Sequence, residues 1–414
     1  MKRTAFYQSR WMVLTFSIIC IMSILLAGCA QQAATKPAET PKTPIKIGGT
    51  LPLTGIYADT GKEVYGGYQH WLEVVNASGG MLGRKVELTI YDDASDVKNA
   101  VTLLEKLITV DKVDLLAGGY PGTACAAQMS VAEQYKKVYI SMGGHMASFT
   151  KGYTYSFGAP PLMGEWWYEG IYKWLGTMPQ AERPKSAALF TMNNPIGAAL
   201  LEGGAAVDRY KSLGIEVVIN EKYDLPLASA DSIVAKAKAA NAELFVSGGL
   251  LPDGVLTVRA CKTQGYNPKL YLQGIGSITR AWVNQLGSDG NYICSGTPMS
   301  YRLPYPGVDE LNKWYAANNP PAVNAPDYWL FGYCWMQVLQ KGVEGSQSLD
   351  DTKIRDWLKS HEISVIGGKW TFDSKGLPPP IELTTQIIDE KVELIWPPDV
   401  RTHAPVYPKP AWGK

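Results

Sequence analysis

Catalysis or metal binding would begin from histidines, cysteines and paired carboxylates, and this chain carries few of them. Of four histidines, His70 falls within a helical stretch, while His361 and His403 fall in late segments; a satisfied or exposed imidazole is expected at each. His145 alone lies in a glycine turn, SMGGHM. Asp92 and Asp93 end an apolar run, where adjacent carboxylates either act as a pair or cap and pin the next helix. The cysteines show no CxxC or Cys/His ligand spacing, so no zinc site is expected. Nucleophile-elbow, HExxH, P-loop and aspartate-rich calcium motifs are absent from the sequence. Gly274-Ile275-Gly276 starts like a dinucleotide fingerprint, but Thr279 stands where its third glycine belongs. The expectation is no catalytic residue, no metal and no cofactor.

A different chemistry is suggested by LAGGYPGTACAA, residues 116–127. Glycines let a backbone approach closely or take positive φ. The alanine-rich stretch behind them reads as a helix, whose N-terminus offers unpaired N–H groups and a positive dipole end to an anion. A plain strand-to-helix turn uses the same residues, so both readings stay open on this stretch alone.

The elements that would position such a turn follow a repeated pattern. IKIGGTLPL, KVELTIYDD, DLLAGG and KVYISM read as strands, separated by helices over GKEVYGGYQHWLEVVNAS, over DVKNAVTLLEKLIT with Asp96 as N-cap, and up to Tyr135. After an irregular stretch near Gly158–Gly164, a second series begins with a helix from about Trp166. Its strands are KSAALFTM, GIEVVIN, AELFVSGG and KLYLQG, with helices between them. Beyond Pro298 come extended proline-rich stretches, a helix around Tyr328–Lys341, another around Asp351–Lys359, and a tail expected to lie along the surface. Repeated βα units imply parallel sheets covered by helices on both faces. Ligands of such sheets sit beyond the strands' carboxyl ends. The turns there are LPLTGIYADTG, AGGYPGTA, SMGGHMAS, TMNNPIG, SGGLLPDG and QGIGS, three in each series, so two facing lobes could close a cleft.

Composition narrows the partners. At 414 residues and 46% hydrophobic, the chain can build two sizeable cores. Lys plus Arg (39) balances Asp plus Glu (38), which gives no argument for nucleic acid or an anionic membrane surface. At the N-terminus, Lys2, Arg3 and Arg10 precede the apolar run WMVLTFSIICIMSILLA, the layout of an export signal. Leu26-Ala27-Gly28-Cys29 resembles a bacterial lipobox, with lipidation at Cys29; a retained signal anchor is the other reading. Residues 1–28 are thus expected to be a signal peptide and 29–43 a lipid-anchored linker. That leaves Cys125, Cys261, Cys294 and Cys334, expected as buried free thiols.

PLTGIYADTG, NASGGMLGRKVELTIYDDASD, GGYPGTA and KWTFDSKG resemble the type I periplasmic binding proteins of the branched-chain amino acid transport class, from about Ile45 to about Glu390. The resemblance implies an α/β fold of two Rossmann-like lobes with parallel sheets and three crossovers. Lobe one would take 44–164 and 300–373, lobe two 165–299 and 374–400, with 401–414 as a tail. It implies capture of a small solute between the lobes and delivery to an ABC permease. In such relatives the turn matching Tyr120–Thr123 grips a substrate carboxylate; here Gly122 and Thr123 replace two serines. Gly143 would supply a carbonyl, and His145 replaces a threonine. Thr60, beside Tyr57 in the first turn, stands where a tyrosine often lies; Ile196 and Leu250 replace two more.

The acid that neutralises a ligand's ammonium in those relatives is missing from Gln273–Ser277, with Asp253 as a possible stand-in from the neighbouring turn. Ser95 and Pro121 stand where some relatives have a disulfide. Trp166 and Trp167 either pack the hinge or, with Tyr120, His145, Ile196, Leu250 and Ile275, make the wall aromatic and apolar. The expected function is a monomeric, membrane-anchored extracytoplasmic lipoprotein that binds a carboxylate ligand with an apolar or aromatic body and needs no ammonium. A ligand sensor signalling to a membrane partner would carry the same features, as would a binder of a true branched-chain amino acid.

Overall fold

Short apolar runs bounded by glycine turns become strands here, and the amphipathic stretches between them become the covering helices. The computed structural model describes residues 43–144, 146–201, 205–319, 327–379 and 382–413. The signal, the lipobox Cys29, nearly all of the linker and His145 lie outside the described residues.

The first series is β1 (Ile45–Leu51), α1 (Ala58–Ala77), β2 (Val86–Asp92), α2 (Val97–Thr109), β3 (Leu115–Leu116), α3 (Gly122–Gln134), β4 (Tyr139–Gly144) and β5 (Ser156–Met163). The second is α4 (Glu169–Thr177), β6 (Ser186–Met192), α5 (Pro195–Leu200), α6 (Ala205–Ser212), β7 (Glu216–Tyr223) and α7 (Asp231–Ala239). It continues through β8 (Leu244–Gly248), α8 (Leu251–Gln264), β9 (Leu270–Gln273), α9 (Arg280–Leu286) and β10 (Cys294–Thr297). The chain then adds α10 (Val308–Asn318), α11 (Asp327–Ser346), α12 (Asp351–Ser360) and a small hairpin, β11 (Ile363–Val365) with β12 (Gly368–Trp370). It ends on β13 (Leu383–Ile388) and β14 (Lys391–Trp396).

Two lobes result, each an α/β layer structure. In lobe one, β2, β1 and β3 pair parallel in that order, and β4 pairs parallel with β5. Lobe two holds a seven-stranded sheet in the order β14-β13-β10-β9-β8-β6-β7. Its five inner-series strands run parallel, whereas β13 and β14 are antiparallel at one edge. The reversal follows from the last crossover: β13 enters beside β10 from lobe one and turns straight back. Asp389 and Glu390 make that turn with φ of 50° and 60°, the geometry a two-residue hairpin needs.

Helices α1 and α11 cross closely in lobe one. A Cβ on Gly67 would lie 2.0 Å from the Trp329 carbonyl oxygen, and one on Gly332 2.3 Å from that of Val64. Two glycines therefore set the helix separation and lock α11 to the first series, although about 250 residues of chain intervene. Asp96 caps α2 as expected, its carboxylate accepting from Asn99 N at 2.8 Å. Helix α10 was not expected: its turn begins with Gly307 amid prolines, and the acids Asp309 and Glu310 in its first turn are the signal that marks it.

Several local expectations change. His70 is buried, stacked on Trp314 at 3.6 Å, and its Nδ1 has no hydrogen-bond partner. Burial lowers its pKa to about 4, so it is a neutral core ring, not a satisfied or exposed one. Asp92 pins the preceding β1–α1 loop and not the next helix, accepting from Leu53 N and Thr54 N at 2.9 and 3.2 Å. Among the described residues, Cys125, Cys261, Cys294 and Cys334 are buried and free, as expected. The tail docks on lobe two: buried Lys409 donates to Asn267 Oδ1 at 2.7 Å, and Trp412 Nε1 to the Tyr266 carbonyl at 2.8 Å.

Candidate functional site

Four helices start at the carboxyl ends of strands and point their first turns at one another. Their N-cap residues are Tyr57 for α1, Pro121 for α3, Asn194 for α5 and Leu250 for α8. All four line one cavity between the lobes, together with Tyr120, Gly122, Met142, Trp167, Met192, Ile196, Leu200 and Ile275. None of these lining residues is an Asp, Glu, Lys, Arg or His. Converging helix N-termini make such a site electropositive without a single cation. The cavity is shut to about 20 Å³, room for one or two waters. A solute the size of an amino acid enters only if the lobes part or the wall turns aside.

The four termini are not equivalent. Asn194 Oδ1 accepts from Gly197 N at 2.8 Å and so closes α5 with its own side chain. Asp253 closes α8: its carboxylate accepts from Leu250 N at 2.9 Å and from Leu227 N at 3.4 Å. It is buried, desolvation raises its pKa, and it does not line the cavity. Asp253 is therefore engaged as a helix cap, which removes the stand-in for an ammonium-binding acid. Helices α1 and α3, both on lobe one, carry no side-chain cap, so N–H groups of their first turns are left for a ligand.

Aromatic rings shape the rest. Tyr120 meets Tyr57 edge-on at 6.0 Å and Tyr328 at 5.6 Å. Burial raises the Tyr57 and Tyr120 phenols, so both stay neutral hydroxyls at physiological pH. Trp167 Nε1 donates to Ser295 Oγ at 3.2 Å, which anchors the indole to β10 of lobe two.

Of the expected residues, the structure gathers Tyr57, Tyr120, Gly122, Trp167, Ile196, Leu250 and Ile275 around this cavity. Thr60 lines an adjoining crevice with Tyr57, Tyr120, Leu250 and Ile275. Thr123 is half-buried on α3 outside the lining, and Gly143, at φ 82°, is buried in β4 outside it too. Trp166 is elsewhere, in a surface groove with Met146, Phe372 and Pro378. It ends a 3₁₀ turn, Gly164–Trp166, where successive side chains point about 120° apart, so neighbouring tryptophans cannot share one wall. Pro121, Met142, Met192, Asn194 and Leu200 complete the lining and were not among the expected site residues. Asn194 had a sequence signal, as Asn before Pro195 opening a helix; the methionines had a weaker one, since both lie in turns expected at the strands' carboxyl ends.

The periplasmic binding protein family model matches residues 44–378. The chain belongs to the periplasmic binding protein family. An amino acid binding protein of Pseudomonas aeruginosa is 26% identical over 347 residues, 80% of this chain and 87% of that one. Among solved structures, a leucine binding protein of Thermotoga maritima superposes with a TM-score of 0.72 at 20% identity, covering 84% of this chain and 97% of that one. A solute binding protein of Rhodopseudomonas palustris, in complex with 3,4-dihydroxybenzoic acid, superposes with a TM-score of 0.72 at 18% identity, covering 90% and 99%. This periplasmic binding protein is a solute-binding protein, placed outside the cytoplasm. Among the described residues, no helix is long and apolar enough to cross a membrane.

Proposed function

We propose that the protein captures a small carboxylate whose body is aromatic or apolar, holds it in the cavity between the lobes, and delivers it to an ABC permease. One observation carries the reading: a cavity with no acidic or basic lining among the described residues, faced by the uncapped N-terminus of α3. A carboxylate is stabilised there by backbone N–H groups. A ligand ammonium would be buried without a partner, which costs several kcal/mol. The Rhodopseudomonas palustris protein, with its dihydroxybenzoic acid, supports an aromatic acid, and the amino acid binding relative supports a ligand that carries a carboxylate.

In this reading lobe one comprises 44–164 and 300–373 and lobe two 165–299 and 374–400, closing as hinged bodies on the ligand. Tyr120 and Gly122 grip the carboxylate, with Thr123 contributing only through the first turn of α3, while Tyr57, Trp167, Ile196, Leu250 and Ile275 surround the body. A lipid on Cys29 would tether the chain to the membrane. Calorimetry with benzoate and leucine tests the ligand: benzoate binding at least about tenfold tighter is expected, and tight leucine binding with no benzoate binding overturns the reading.

A further inference from the structure

Between β3 and α3 the chain passes through buried Gly118 and Gly119 and enters the cavity lining at Tyr120, so the peptide plane shared by Gly119 and Tyr120 sets which way the first lining N–H points. Glycine lifts the side-chain barrier to turning a plane over. The orientation decides whether an oxygen or an N–H faces a ligand. Both carbonyls are held from behind. The Tyr68 hydroxyl on α1 donates to the Gly118 oxygen at 3.0 Å, and the Cys125 thiol on α3 donates to the Gly119 oxygen at 3.0 Å. Both side chains are fully buried inside lobe one. Burial keeps each proton in place, with the Tyr68 phenol well above its usual range and the Cys125 thiol pushed up to about 12.

Space behind the turn is equally defined. A Cβ on Gly118 would lie 1.7 Å from the Ile140 carbonyl oxygen, and one on Gly119 2.5 Å from Gln128 Oε1. Gln128 is itself fixed, donating to Thr50 Oγ1 at 2.7 Å and accepting from the Tyr139 hydroxyl at 2.5 Å. The two glycines are thus required by close approach to β4 and to this buried network, and neither has positive φ.

We propose that Tyr68 and Cys125 are positioning residues that set the charge preference of the lobe-one wall. By drawing the Gly118 and Gly119 oxygens toward the lobe interior, they keep negative partial charge away from the ligand and favour an anion over an amide or ammonium. The proposal rests on the reading of this cavity as a carboxylate site.

The test uses the full chain with two acid–amide pairs, benzoate with benzamide and leucine with leucinamide, in calorimetry. Tyr68→Phe and Cys125→Ala should each lower the acid-to-amide affinity ratio about 2- to 10-fold, the worth of a neutral hydrogen bond. Cys125→Ser, whose hydroxyl also donates, should retain the ratio. Equal losses for acid and amide are what a packing defect gives, and they overturn the proposal. If only the leucine pair binds, the aromatic ligand assignment falls while the ratio still reads the positioning. If neither pair binds, a crystal structure of the Tyr68→Phe/Cys125→Ala protein decides. A carbonyl turned toward the cavity supports the proposal, and two unmoved carbonyls overturn it.

Discussion

Helices α3 and α8 begin on opposite walls of the same cavity, at equivalent strand ends, yet they present opposite chemistry. Helix α8 is closed by its own Asp253, which accepts from Leu250 N and is buried against lobe two. Helix α3 starts at Pro121 and Gly122 with no side chain to spend on its first N–H groups. The contrast assigns the walls different tasks. Lobe one offers a place for negative charge, whereas lobe two, with Ile196, Leu200, Leu250 and Ile275, offers shape.

The contrast can be broken most sharply at Gly122. Proline is tolerated at the first position of a helix, and the preceding Pro121 already has ψ of 179°, so Gly122→Pro should fold while deleting one N–H. A hydrogen bond to a charged group is worth about 1.5–3 kcal/mol. Benzoate affinity in calorimetry should therefore fall roughly 10- to 100-fold with little change in melting temperature. Unchanged affinity would move the carboxylate elsewhere.

Giving lobe two an acid should sharpen the comparison. Ile275→Asp adds a carboxylate to the wall, so leucine should gain about tenfold over benzoate in competition binding, since a buried ammonium then finds a partner. No change in that ratio would show that a ligand's other end does not reach Ile275. At Asp253 the expected effect is on folding. Asp253→Ala strands the Leu250 N–H in a buried place, which costs about 1–3 kcal/mol in chemical denaturation. If benzoate affinity instead collapsed as far as in Gly122→Pro, the division between the walls would be wrong.

A separate effect concerns pH and reads both lobe-one helices at once. Glu63 on α1 and Asp327 on α11 are desolvated inside lobe one, and burial raises both to about 8 from 4.5 and 3.8. Acids raised in the folded state hold protons that the unfolded chain has released, so stability is lost as pH rises from about 4.5 to about 8. Thermal denaturation should show that slope, and Glu63→Gln should make it shallower. His70, lowered to about 4, works the other way and removes stability as pH falls below its ordinary value of 6.5.

Much of this was legible in the order of residues. Asp96 announced the start of α2, and the glycine turns marked the strand ends where the cavity lies, because a local pattern needs only local physics. Ile196, Leu250 and Ile275 in turn positions where acids or tyrosines are usual already described an apolar wall. Trp166 failed because one residue of 3₁₀ phase separates it from Trp167, and phase is not written in composition. Met142 and Met192 lie in strands buried on both faces, so their residue type does not distinguish a lining methionine from a packed one.

The sequence by itself determined the βα alternation, the glycines of the lobe-one turn and the scarcity of catalytic groups. These rest on periodicity, backbone allowance and residue type. Tertiary structure decided how the pieces are used. It committed Asp253 to a helix end, left α3 uncapped, and set Tyr68 and Cys125 behind the turn across 50 and 6 residues of chain. The physical reason is that a carboxylate or a carbonyl has no fixed role until burial decides which donor reaches it first.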